Sequence, residues 1–132
     1  MLRQDIATAI DATPDQIQSE IKISAATSLE LLNTYLPADE PVARITSASP
    51  AKDRPANSVL AITKHRLIFV APAPQVVGWR LASITKSQAA VGYFFIHGDA
   101  GEYSLGLTTG PWADSFERLV KRASAIAVLE DQ

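Results

Sequence analysis

The stretch Asn57 to Pro72, NSVLAITKHRLIFVAP, constrains this chain more than any other. Val59, Leu60, Ala61 and Ile62 precede a polar tetrad, Thr63-Lys64-His65-Arg66. Leu67, Ile68, Phe69 and Val70 follow it, and Pro72 closes the second run. β-Branched and aromatic residues bounded by turn chemistry predict a β-hairpin. Successive strand side chains point to opposite faces, so Leu60, Ile62, Leu67 and Phe69 are expected to share the core face.

The other bounds come from length and composition. At 132 residues and 47% hydrophobic content the chain is one domain's length, with enough apolar material for a core. It has no cysteine, which removes disulfides, thiolate metal sites and cysteine nucleophiles. No apolar run reaches the ~18 residues of a membrane span. Asp5 and Asp11 interrupt the first dozen residues, which do not read as a signal peptide. Charge is uneven around a net −2: residues 1–40 carry seven acids and two bases, residues 41–110 seven bases and three acids. This acidic-then-basic order serves solubility, or else docking of one part on the other or of an anionic partner.

Residues 1–36 read as a helical arm. Leu2, Ile6 and Ile10 recur every fourth position, as do Ile17, Ile21 and Ala25. Thr13-Pro14-Asp15-Gln16 and Thr27-Ser28-Leu29-Glu30 both fit capping boxes. The second marks either a break or the interior of one helix ending near Leu36. The arm's apolar face, with Leu29, Leu32 and Leu36, requires cover from the chain's own body or from another subunit.

Residues 37–132 read mainly as strands. Pro41 to Ser49 is the first, and Ser49 to Asn57 a loop by composition. Gln75 to Leu81 follows the hairpin, with Gly78 marking a bend or bulge. Ser83 to Val91 is expected as a fifth strand that buries Ile84 and Val91. Tyr93 to His97 and Glu102 to Thr108 pair across a Gly98–Gly101 turn. Gly110-Pro111 opens a last helix with a stripe of Trp112, Phe116, Leu119, Val120, Ala123 and Ala127. The fold class is therefore α+β, mainly β.

Seven strands and a terminal helix in this order resemble the bacterial pleckstrin-homology-like and GRAM-like domains, over roughly Leu36 to Ala127. The likeness rests on Leu36-Pro37-Ala38-Asp39-Glu40-Pro41-Val42, on the Leu60–Phe69 hairpin, on the Ile84 strand and on the amphipathic helix. It implies a seven-stranded barrel or sandwich capped by the C-terminal helix, which here would cover an open barrel end. The arm resembles an N-terminal extension of some bacterial members. Members of the family bind lipid headgroups, peptides or proteins, and bacterial ones often self-assemble. Fold alone selects none of these.

Phosphoinositide-binding members use basic residues on the loop after the first strand, a place Lys52 and Arg54 match. The likeness places loops 49–57, 72–74 and 98–101 at one end, where Asp99 and Glu102 would oppose an anion, and Lys64, His65 and Arg66 at the other. Tyr93, Phe94 and Phe95 are consecutive, so one aromatic points away from the core, to lie under the arm or form a contact patch. His97 and Asp99 fall short of the three or four ligands of a metal site, and no nucleophile–base–orienter set or nucleotide fingerprint is present. No cofactor and no nucleic-acid partner is expected. The reading is a non-catalytic cytoplasmic module for protein–protein contacts or self-association, as a dimer or ring. The alternative is a membrane-peripheral module binding anionic lipid.

Overall fold

A computed structural model describes residues 2–107 and 110–131. The hairpin forms as β2, Ser58–Thr63, and β3, Arg66–Ala71, with Leu60 opposite Phe69 and Ile62 opposite Leu67. Its turn is fixed by Thr63, whose Oγ1 accepts from the N–H groups of His65 (3.2 Å) and Arg66 (3.0 Å). β1, Val42–Ala48, pairs with β2, and β4, Gln75–Arg80, with β3, giving a four-stranded antiparallel sheet in sequence order. A second sheet holds β5, Lys86–Ala90, β6, Tyr93–Gly98, and β7, Gly101–Gly106. The strand end expected at Thr108 lies outside the described residues.

The sheets meet at one corner, where Ser49 and Gly106 exchange two backbone hydrogen bonds of 2.9 Å. A Cβ at Gly106 would collide with Ser49 Oγ and lie 2.8 Å from the Ala51 carbonyl, so glycine is required there. β4 and β5 form no ladder, so the expected barrel or sandwich is two antiparallel sheets joined at a corner, without a closed cylinder.

Two cores result. Leu60, Ile62, Leu67, Phe69 and Trp79 face the second sheet and α4, Pro111–Glu130. α4 packs Phe116 and Val120 into this core and lies against Leu81–Ser83 and β5. Phe116 meets Phe94 edge-on at 6.2 Å, and the Trp112 indole donates to Thr46 Oγ1 at 2.9 Å. Val59, Ala61, Ile68 and Val70 form the opposite face of the same hairpin and are equally buried. The arm covers them.

The arm comprises α1, Gln4–Asp11, α2, Asp15–Ser19, a π-helical turn at Glu20–Ser24, and α3, Ala26–Tyr35. Ile6, Ile10, Ile17, Ile21, Leu29, Leu32 and Leu36 are all buried, whereas Leu2 stays 37% exposed. The apolar face is covered by the chain's own sheet, so the arm by itself gives no reason for a second subunit. Arg3 ties α1 to the link below it, donating to the carbonyls of Leu36, Pro37 and Glu40. Asp5 accepts from the Val42 N–H at 2.7 Å, which fixes α1 against β1.

Neither expected capping box forms. Thr13 donates its hydroxyl back to the Ile10 carbonyl at 2.6 Å, and α2 starts after Pro14. Thr27 lies inside α3, and Ser28 donates to the Asn57 carbonyl at 2.6 Å instead. Three strand expectations also change. Gly78 pairs in regular register with Ile68, its bare face leaving room for the Arg66 side chain, and the irregularity falls between Val42 and Arg44 instead. Leu81–Ser83 forms a short 3-10 turn, which delays β5 to Lys86. Val91 falls in the β5–β6 turn and is 79% exposed, not buried.

Candidate binding surfaces around the C-terminal helix

Lys52 and Arg54 line a depression of about 430 Å³ with Glu20, Asp53 and the Val91–Gly92 turn. Two acids offset two bases there, and the Lys52 ammonium already sits 5.0 Å from the Tyr93 ring centroid. The expected grouping of loops is corrected. Antiparallel pairing of β6 and β7 carries the Gly98–Gly101 turn to the opposite end, where the Asp99 carboxylate takes the Arg80 guanidinium and backbone N–H, each at 3.0 Å. The Val91–Gly92 turn stands beside Lys52 in its place.

The aromatic triplet divides. Phe94 is buried in the second core. Tyr93 and Phe95, both half-buried, stack at 5.5 Å on the outer face of the three-stranded sheet, with Lys86 5.6 Å from the Phe95 centroid. They do not lie under the arm, which covers the other sheet.

Glu40 is buried at the start of β1 and grips Arg66 in a two-point ion pair of 2.6 and 2.9 Å. Thr63 Oγ1 donates to the same carboxylate at 2.8 Å. The Arg66 bonds, opposed by burial and helped by Thr63, hold the Glu40 carboxyl below its usual range. The same contact raises Arg66. This cluster pins the hairpin turn to the link below the arm. Its chemistry is structural, since both charges are spent on each other.

Composition gave no hint of a groove of about 640 Å³ between β5 and α4. β5 is an edge strand, with no strand on its outer side among the described residues. Its Ala89 N–H points outward and donates to the Glu117 carboxylate of α4 at 2.6 Å. Alternate residues on an antiparallel edge present their backbone groups to the same side. Ser87 therefore aims its N–H and carbonyl into the groove as well. Lys86, Lys121 and Ser124 line the rest. The sequence shows Glu117 and Lys121 only as an i, i+4 pair, here 3.7 Å apart. That Glu117 also caps a strand edge emerges only from the fold.

Among the described residues no three His, Asp or Glu side chains come together to hold a metal. His97 shares a 3.2 Å contact with Thr85 Oγ1, and among the described residues no carboxylate orients its ring. No described helix is long and apolar enough to cross a membrane. Comparison of the chain with protein-family models and with curated proteins gives no match to either.

Proposed function

We propose that this chain is a pleckstrin-homology-like interaction module, without catalytic chemistry of its own, that takes an extended segment of a protein partner along β5. The four-plus-three strand order followed by a helix supports the fold assignment. One observation carries the binding mode. The outer edge of β5 faces an open groove, and a side chain rather than a strand satisfies its Ala89 N–H. Unpaired edges are templates for strand addition, where main-chain bonds give affinity and flanking pockets give specificity. The anionic-lipid alternative has less support, because Lys52 and Arg54 share their depression with Glu20 and Asp53.

The test selects peptides from a random library on the immobilised full chain, then measures their binding to Ala89→Pro. This variant removes an outward N–H while leaving the bonds to β6 in place, a substitution that edge strands accept. Selected peptides should lose binding to it. Unchanged binding, or a chain that retains no peptides but sediments with anionic vesicles, would refute the assignment.

A further inference from the structure

A second groove lies on the other side of α4, against β1 and β2, and its chemistry is different. Its volume is about 430 Å³, and Ile62, Leu81, Leu119 and Ala123 form an apolar floor. Ile126, 48% exposed, continues the floor along the helix. Cations stand on both lips: Arg44 and Lys64 on the sheet side, Arg122 on the helix side. All three are exposed, and among the described residues none forms a salt bridge or a side-chain hydrogen bond. Glu130 is the one acid lining this groove.

We infer that this groove receives an amphipathic helix of a partner protein whose apolar stripe is flanked by acidic residues. A strand is a poor occupant, because β1 is bulged between Val42 and Arg44 and bulged edges resist pairing. The floor from Leu119 to Ile126 runs about 10 Å along α4 at ~1.5 Å per residue. That length accepts apolar anchors at i, i+4 and i+7, the usual reading of a helix in a groove. Cations on both lips match acids on both flanks of such a stripe. A flat membrane surface would reach the lips but not the recessed floor, where Ile62 and Leu81 are almost fully buried. The inference is independent of strand addition at β5.

Two side-chain-stapled helical peptides serve as probes, one with a leucine stripe flanked by glutamates and a twin with lysines in their place. Binding is followed by fluorescence anisotropy at physiological salt and mapped by backbone amide shifts. The acidic peptide should bind and shift Ile62, Leu119 and Ala123. Arg44→Glu combined with Arg122→Glu should weaken it about tenfold or more and let the lysine twin bind. Both positions are exposed, and circular dichroism confirms that the double variant folds. The inference fails if the two peptides bind the native chain equally, if the charge swap changes neither, or if anionic vesicles bind through these residues while the acidic peptide does not.

Discussion

The two grooves flanking α4 share a helix and differ in everything else. On the β5 side the strand edge is regular, the walls are polar, and Glu117 occupies one backbone donor. On the β1 side the edge is bulged, the floor is apolar, and cations that form no salt bridge among the described residues stand on both lips. The difference arises because α4 fully buries Phe116 and Val120 in the second core, while Leu119, Ala123 and Ala127 beside them are only partly buried. Its two flanks are then free to meet two unlike strands. One helix thereby offers main-chain pairing on one side and side-chain docking on the other.

The largest expected effect comes from removing the wedge that both grooves depend on. Phe116→Ala should cost about 3–5 kcal/mol in urea unfolding and abolish binding at both sites. A loss below ~1 kcal/mol would show that α4 is not held by that contact.

Glu40→Ala comes next and separates the grooves. It removes the ion-pair partner of Arg66, leaving only the 2.9 Å bond to the Tyr35 hydroxyl, and should cost about 2–3 kcal/mol. Acid should do the same reversibly. The Glu40 carboxyl is lowered on folding, so its contribution is complete above the ordinary carboxyl value of 4.5 and is lost as pH falls through the folded-state value below it. The Thr63–Arg66 turn carries the Lys64 lip, so its amides should lose exchange protection in that acid range before those of β6 do. Simultaneous loss would mean that Glu40 does not secure this lip separately.

A smaller change is expected from Glu117→Ala. It frees the Ala89 N–H for an incoming carbonyl, and library-selected peptides should bind two- to tenfold more tightly, an effect of about 1 kcal/mol. The helical probe at the other groove should bind as before. Equal shifts at both grooves would erase the distinction between them. Smallest of all, Lys52→Ala with Arg54→Ala should alter stability by no more than ~0.5 kcal/mol and leave both grooves unaffected. Reduced binding at either groove would return that loop to the functional surface.

How much of this is legible in the sequence depends on the range of the forces involved. The hairpin is legible because its apolar runs are local and dense, and continuous runs fit strands buried on both faces. The arm's spacing exposes its apolar face, but spacing does not say that Ile68 and Val70 are what it covers. Thr13 and Thr27 look like caps because the motif is local, yet competing partners decide where such side chains bond. β5 is marked in the sequence only by Ile84 and Val91 on either side of it, since Lys86-Ser87-Gln88-Ala89-Ala90 itself carries no large apolar residue. Its importance comes from what lies beside it, and Glu117 is 28 positions away from Ala89. Lys52 and Arg54 stand out as a basic pair, but Glu20, which shares their depression, is contributed by the distant arm.

The most direct measurement is amide hydrogen exchange at Ser87 in the full chain, with and without a library-selected peptide. Strand addition along β5 predicts that Ser87 becomes protected when the peptide binds, while the Lys52–Arg54 backbone is unchanged. A bound peptide that leaves Ser87 exchanging at its free rate and protects another surface would contradict the account.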